Sequence, residues 1–265
     1  MERRRFVALL SAAFFASAGC VGPTGKGVSL ARPGSLPQDA TAGFGYVDLG
    51  DVRAHEALEV YDYAPARAFG GTPGVRVGEV EEAIAFGERR GTAVAAGRFD
   101  ASRASTALES DGFKRSGGTN GYTVVEKNDG TAVALDADSC VRSVRGPSAV
   151  RRTVEALGGD AVTAVDSDDD FAALVDAVGD GDGGTFVTGS VVGDGPVVAL
   201  GERVDVEPKD TTARVSLVRV FRTEGEAANR TATANATAKR RIRGPVAEAD
   251  GRTVRVTGEV GVDRL

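Results

Sequence analysis

A strand that runs directly into a helix is encoded by residues 215–224, VSLVRVFRTE. Its apolar residues follow the pattern of a strand within the longer apolar run 213–222. The segment that follows, from Glu224 to about Arg240, is almost entirely Ala, Thr and Asn, so a helix and a low-complexity loop are both compatible with it. Residues 245–256 then return as a hairpin, because Asp250-Gly251 supplies the positive φ angles that a tight turn needs.

The same order of elements occurs earlier in the chain. Residues 92–100, TAVAAGRFD, form a strand that enters a helix starting at Asp100 or Ser102 and ending before Gly112. Residues 122–135 return as a hairpin around Asn128-Asp129-Gly130. The repeated pattern predicts an α+β fold of two related strand-helix-hairpin units, with antiparallel sheets and helices packed on one face.

Two further helices are predicted between these copies. Pro147 opens the first, which ends before Gly158-Gly159. Asp168 caps the second, in which Phe171, Leu174, Val175 and Val178 recur at helical spacing before Gly179. The other predicted strands are 83–86, 140–144, 185–192, 196–204 and 253–260.

The sequence resembles a group of uncharacterised haloarchaeal lipoproteins over roughly residues 45–260. The resemblance is carried by 92–100, by ALESDGF at 107–113, by GYTVVE at 121–126, by AVAL at 132–135 and by DDFAALVDAVG at 169–179. It implies no known activity and no catalytic residue. A net charge of −6 and few lysines are typical of halophilic archaea, whose protein surfaces stay hydrated in concentrated salt.

The N-terminus has the organisation of an export signal. Arg3 and Arg4 precede an apolar run from Phe6 to Phe15, which is too short to span a bilayer. The arginine pair fits the twin-arginine pathway. Ser17-Ala18-Gly19-Cys20 resembles a lipobox, with Ser17 where Leu is common, and ordinary secretory cleavage is the alternative. We therefore expect a lipid on Cys20 and a protein held by membrane lipid at the extracellular face of the cell membrane.

The domain prediction follows from this organisation. Residues 1–20 are a signal peptide with lipobox, and residues 21–45 are a flexible tether rich in Gly and Pro. Residues 46–160 form the first α+β unit, and residues 161–265 form the second.

Several kinds of chemistry are excluded by composition. His55 is the only histidine, and beside acidic residues it is expected to be solvated, so histidine-cluster zinc sites and Ser/His/Asp triads are excluded. If Cys20 carries lipid, Cys140 has no disulfide partner within the chain. It lies among alternating apolar residues and is therefore expected to be a small buried apolar side chain. An acidic chain is a poor ligand for nucleic acid.

Two weaker motifs remain. The acidic residues at 166–170 and 180–182 do not match the calcium-binding loop of an EF-hand, and a helix start and a flexible turn explain them more simply. Asn229-Arg230-Thr231 and Asn235-Ala236-Thr237 are glycosylation sequons, which also arise by chance in Thr-rich segments.

The sequence leads to two functional hypotheses. The first is a non-enzymatic, lipid-anchored surface protein that has a structural role or binds another envelope protein, with no cofactor and no metal. The alternative is a carrier or sensor that holds a small molecule or ion in a groove between the two units. An enzyme that uses only carboxylates stays possible, but no Asp or Glu pair can be singled out.

Overall fold

The computed structural model describes residues 32–55, 58, 67–69, 71–179, 184–193, 195–207 and 210–265. Within these residues, twelve strands form one sheet, in which neighbouring strands are antiparallel. The helices pack on this sheet, so the predicted α+β class with antiparallel pairing is confirmed.

The first half of the chain contributes seven strands. In chain order its elements are β1 (Phe44–Asp48), α1 (Leu49–Ala54), β2 (Val80–Phe86), β3 (Thr92–Gly97), α2 (Ala101–Ser110), β4 (Lys114–Thr119), β5 (Tyr122–Glu126), β6 (Ala132–Leu135) and β7 (Ser139–Ser143). The second half adds α3 (Pro147–Leu157), α4 (Ala164–Ser167), α5 (Asp169–Val178), β8 (Phe186–Val191), β9 (Val197–Asp205), β10 (Thr212–Phe221), α6 (Glu224–Ala238), β11 (Arg243–Asp250) and β12 (Thr253–Gly261).

The strand order across the sheet is β11-β12-β10-β9-β8-β1-β2-β3-β7-β6-β5-β4. β1 and β8 are central, and their pairing, with Tyr46 opposite Val187, joins the strands of the two halves. The predicted antiparallel sheets are therefore one continuous sheet.

The helices cover both faces of the sheet, and the prediction of helices on one face is wrong. Helices α3 and α5 lie on one face, which we call the α5 face, and pack on side chains such as Ile84 and Val94. Helices α1, α2 and α6 lie on the opposite α6 face. Both faces need a cover because the central strands carry apolar side chains on both sides, as Tyr46 and Val47 do in β1.

Helix α5 forms as its sequence predicts. The Asp168 carboxylate accepts hydrogen bonds from the backbone N–H groups of Asp170, at 3.0 Å, and Phe171, at 2.9 Å. Phe171 and Leu174 are buried against the sheet. Gly179 ends the helix with φ 84°.

Helix α6 resolves the choice between a helix and a loop. Thr223 and Glu226 form a capping box at its start. Its buried side chains are all alanines, Ala227, Ala234 and Ala238, so the helix lies close to β11 and β12 without a large apolar residue.

The predicted tether is wrong for residues 33–45. Two short 3₁₀ helices, Pro33–Ser35 and Gln38–Ala42, lead into β1, and Leu36 and Ala40 are fully buried. The backbone N–H of Ala164 donates to the carbonyl of Leu36 at 2.8 Å, which ties this segment to the start of α4. A Gly- and Pro-containing segment is therefore part of the fold.

The first return hairpin also differs from the prediction. Residues 122–135 form β5 and β6, as predicted, but the strand beside β3 is β7. In the second half, β12 lies beside β10. By position in the sheet, the first-half hairpin equivalent to β11–β12 is therefore β6–β7.

Candidate functional site

A groove of about 560 Å³ lies on the α6 face of the sheet above four adjacent strands, β1, β8, β9 and β10. One row of paired residues crosses its floor: Gly45, Thr188, Glu202 and Leu217. Residues paired in this way present their side chains on the same face. A second row, formed by Ser190, Leu200 and Arg219, runs beside the first.

Arginines stand on both sides of this floor. Arg89 and Arg90 come from the turn between β2 and β3 and form one wall. Arg219 of β10 and Arg241, which follows α6, form the other wall. Glu202 is the only acidic side chain among the lining residues that the structure describes. We call this site the arginine groove.

The four arginines of the groove are unpaired within the described residues. None of their side chains forms an ion pair or a hydrogen bond there. Elsewhere, Arg103, Arg203 and Arg252 bind the carboxylates of Glu79, Asp205 and Asp170. In an acid-rich chain, unpaired guanidinium groups around a concavity make a local positive field.

The turn that carries Arg89 and Arg90 has an unfavourable backbone. Both residues are left-handed, with φ 55° and φ 51°. Residues other than Gly, Asn and Asp are disfavoured at positive φ, because their side chains clash with the backbone there. Two consecutive arginines here cost on the order of 1–2 kcal/mol each relative to ordinary backbone. Strain of this kind is commonly found at functional sites.

Gly45 provides a seat for one of these arginines. A Cβ atom at position 45 would lie 3.3 Å from both Cζ and Nη1 of Arg90. The Arg90 guanidinium therefore lies against the backbone of β1, and a Cβ atom at position 45 would require it to shift by a few tenths of an ångström. This contact holds one cation of the wall above the edge of the floor.

A smaller hollow of about 290 Å³ continues the groove towards the end of β12. It shares Glu202, Leu217 and Arg241 with the main groove. Arg240 and Arg264 line it together with apolar residues such as Ile242. The positive side of the groove therefore extends beyond Arg241.

The opposite side of the floor is closed by α5. Gly189 of β8 and Gly201 of β9 are paired, and their missing side chains let α5 approach the sheet. A Cβ atom on Gly201 would lie 2.5 Å from Cγ1 of Val178. Phe44 and Phe171 meet beside this pair edge to face, with ring centroids 5.7 Å apart. The groove therefore has a rigid floor.

This arrangement is suited to binding anions. A guanidinium group is always charged and presents planar donors that match carboxylate and phosphate oxygens. The hydroxyls of Thr188 and Ser190 add neutral donors and acceptors to the floor. Within the described residues, no group of three or more His, Cys, Asp or Glu side chains is placed to hold a metal ion.

The predicted site residues lie elsewhere. Arg3, Arg4 and Cys20 are outside the described residues. Asn229 and Asn235 both lie in α6, where Asn229 is exposed, while Asn235 is half-buried and its Oδ1 has no hydrogen-bond partner. The two sequons therefore differ in access. No helix in the described part of the chain has the length and apolar character needed to cross a bilayer.

Two single residues were the subject of predictions. His55 is buried, and its Nε2 lies 2.8 Å from the carbonyl oxygen of Asp210, so the prediction of a solvated histidine is wrong. Cys140 is buried in the α6-face core, as predicted. Burial raises the pKa of its thiol to about 12, which keeps the group protonated and unreactive at neutral pH.

The acidic residues near α5 have structural roles. Asp166 closes a capping box with Thr163, whose hydroxyl holds the pKa of the carboxyl below its usual range. Asp168 caps α5, and Asp170 pairs with Arg252 at 2.6 Å. The interpretation of this cluster as a helix start is confirmed, whereas residues 180–182 lie outside the described residues.

Sequence reasoning did not find the arginine groove. Its arginines are spread over three distant segments, and only the sheet order brings them together. One signal was present in the sequence: Arg89-Arg90 lies between two strand-like runs, where a turn dipeptide containing Gly or Asn is expected.

Comparison with known proteins adds a structural likeness only. No family model matches the sequence, and no curated protein matches it significantly. Two solved structures, described as crystal forms I and IV of TP0453, are similar to the chain, with TM-scores of 0.51 and 0.52. Each alignment covers 89% of this chain and 95% of the TP0453 chain, with 13% sequence identity for form I and 12% for form IV. At such identities the likeness concerns the backbone arrangement and carries no activity.

Proposed function

We propose that this protein is a non-enzymatic carrier or sensor that binds a small organic anion in the arginine groove. The observation that carries the proposal is a set of four arginines that face one concave floor in an acidic chain and have no partner among the residues that the structure describes. This is the carrier hypothesis of the sequence analysis, with the groove located on the sheet and the ligand given a charge.

The proposal places the groove between two related units. The supporting observation is the strand order, which reads outward from β1–β8 as a three-strand meander on each side, followed by β12–β11 in the second half and by the four strands β7-β6-β5-β4 in the first. Helices α2 and α6 each follow the third strand of a meander and lie on the same face. A two-unit origin would explain why the groove lies above the junction of the two halves.

We further propose that the protein is exported through Arg3 and Arg4 and held at the cell surface by lipid on Cys20. The support is the order of charged, apolar and small residues in the first twenty positions. Cell fractionation tests this: Cys20→Ser should move the protein from the membrane fraction to the medium. Retention of the variant in the envelope would contradict the anchor without affecting the groove.

Glycosylation is proposed at Asn229 rather than Asn235, because Asn229 is the exposed member of the pair. Glycopeptide mass spectrometry on the exported protein should find the sugar at Asn229. A glycan confined to Asn235 would contradict the assignment.

An envelope protein remains a second proposed partner, and the observation that favours it is the edge strand β11. This strand ends the sheet, and Val246 within it is 54% exposed. An unpaired strand edge is a common site for another chain to add a strand. Crosslinking from position 246 should capture one defined envelope protein if this surface is used. The localisation of the Val246→Lys variant should then differ from that of the wild-type protein.

Isothermal titration calorimetry tests anion binding directly. The purified chain is titrated with citrate, succinate and inorganic phosphate at low and high potassium chloride concentration. Arg219→Ala should weaken binding at least tenfold. The matched control is Arg214→Ala, because Arg214 lies on the same strand but on the opposite face. Absence of binding for every anion, or equal losses in both variants, would contradict the proposal.

A further inference from the structure

We infer that the ligand of the arginine groove has two oxyanion ends and a hydroxylated middle, as a sugar diacid does. This inference rests on the proposed function and names its ligand class. It is carried by the order of charges across the floor: positive, negative, positive.

The two walls are far apart. The Arg90 guanidinium lies against Gly45 of β1, and Arg219 projects from β10. Strands β8 and β9 lie between them, so three inter-strand spacings of about 4.8 Å separate the two backbones by about 14 Å. The arginine side chains reach inward from both sides and shorten this gap, so it is the acidic Glu202 between the walls that favours one anionic group at each wall over a single anion in the middle.

The middle of the floor has the opposite charge. Glu202 lies on β9, between the walls, and is paired with Thr188 on one side and Leu217 on the other. It forms no ion pair among the described residues. Its carboxylate repels an anionic group placed above it and accepts hydrogen bonds from a donor.

The neutral groups of the floor fit the same ligand. The hydroxyls of Thr188 and Ser190 lie on the same face as Glu202, at positions i and i+2 of β8. A ligand middle that carries hydroxyls can donate to Glu202 and exchange hydrogen bonds with both side chains. A fully charged chain such as polyphosphate would place an anion against Glu202.

The wall formed by Arg89 and Arg90 has one contact with the floor. The Arg90 guanidinium lies against the backbone of Gly45, whereas the left-handed φ angles set the backbone of Arg89 and Arg90 and not their exposed side chains. A contact that limits the rotation of a side chain reduces the entropy lost on binding. We therefore assign Gly45 as a positioning residue for Arg90.

Three related acids separate the requirements for two ends and for a hydroxylated middle. Galactarate has two carboxylates and a hydroxylated chain, adipate has the same length and charge without hydroxyls, and gluconate has the hydroxyls but one carboxylate. Calorimetric titration of the purified chain should rank galactarate at least tenfold above each of the others. Equal affinity for gluconate and galactarate would overturn the two-ended ligand, while anion binding itself would stand.

Glu202→Gln tests the role of the floor, and it keeps the size of the side chain. The variant should bind adipate more tightly than wild type does, because the repulsion is gone. The advantage of galactarate over adipate should shrink to less than threefold. An unchanged ratio of the two affinities would overturn the role of Glu202, and thermal unfolding of the variant checks that it is folded.

Gly45→Ala tests the seat of Arg90. The variant should bind galactarate more weakly than wild type does, and Arg90→Ala should lose at least tenfold in affinity. The two changes together should cost no more than Arg90→Ala alone, because both act through the same cation. Additive losses would overturn the assignment of Gly45 as a positioning residue. If no anion binds to the wild-type chain, the proposed function fails together with this inference.

Discussion

At the scale of single residues, the turn between β2 and β3 accepts a cost in stability in order to place two cations. Arg89 and Arg90 are exposed, so burial does not explain their presence at positive φ. Asn or Gly would form the same turn with less strain. The contact of Arg90 with Gly45 indicates what is gained, because it fixes a guanidinium at the edge of the groove.

We predict that Arg89→Asn stabilises the fold and weakens anion binding. Asn tolerates the left-handed conformation, so the free energy of unfolding should rise by about 1 kcal/mol. Chemical denaturation measures the first effect and calorimetry the second. Arg89→Ala is the control, since it removes the charge but keeps a strained side chain, and it should lose binding without gaining stability. A loss of stability in Arg89→Asn would contradict the strain argument.

We also predict that Cys140 lowers the stability of the fold at alkaline pH. Its pKa is raised from the ordinary value of 9.0 to about 12 by burial. Below pH 9 the thiol is protonated in both folded and unfolded chains and has no pH-dependent effect. Between these values only the unfolded chain loses the proton, so the free energy of unfolding falls as pH rises, by up to about 1.4 kcal/mol per pH unit.

Denaturation of wild type and Cys140→Ala across this pH range isolates the contribution. Other buried groups titrate there too, including Tyr122, whose pKa is also raised by burial. Subtracting the free energy of unfolding of one protein from that of the other cancels the contribution of these other groups. If the free energy of unfolding had the same pH dependence in both proteins, Cys140 would not be the cause of the loss of stability at alkaline pH.

At the scale of secondary-structure elements, helix α5 supports the floor of the groove from behind. Its side chains Leu174 and Val178 occupy the space above the paired glycines of β8 and β9. The groove and the helix lie on opposite faces of the same two strands. A change in this packing should therefore be transmitted to the floor.

We predict that Gly201→Ala destabilises the protein by about 1–3 kcal/mol, as overpacking of a core does. The new Cβ atom would lie 2.5 Å from Val178 and 2.7 Å from Leu174. Gly225→Ala in α6 is the control, because a Cβ atom there has open space. Thermal denaturation compares the two, and equal melting temperatures would contradict the close packing of α5 on the sheet.

The elements differ in how far their sequences reveal them. Helices with a cap and an apolar stripe, such as α5, are predictable from residues alone, since Asp168 and Gly179 mark both ends. Strand β1 is not, because its five residues follow a Gly- and Pro-containing segment that is typical of a tether. Edge strand β4, with Gly117 and Gly118, lacks the apolar alternation of a strand.

The groove depends on the elements that the sequence hides. Only the position of β1 beside β8 brings the Arg89–Arg90 turn opposite Arg219. Pairing between strands so distant in the chain leaves no local pattern, and no spacing of arginines in the sequence corresponds to it. The residues that line the groove and its positive charge were therefore not predictable from the sequence.

At the scale of the whole molecule, the proposed lipid anchor makes a prediction about thiols. Protein purified from membranes and then denatured should contain one reactive thiol, that of Cys140, because the sulfur of Cys20 carries the lipid. Unexported protein should contain two. In the native state, Cys140 should not react, since it is completely buried. Two thiols in the membrane-derived protein would contradict the anchor.

The position of β1 in the sheet has a mechanical consequence for a protein held by its N-terminal end. Tension applied through that end first reaches residues 33–42, which are bonded to Thr163 and Ala164, and then β1. Strand β1 is bonded on both sides, to β2 and to β8. Pulling it out would require two ladders of hydrogen bonds to break together in shear, whereas an edge strand could be peeled away one bond at a time. A molecule that is pulled through β1 should therefore withstand larger forces, such as those from flow or neighbouring cells, than one that is pulled through an outer strand.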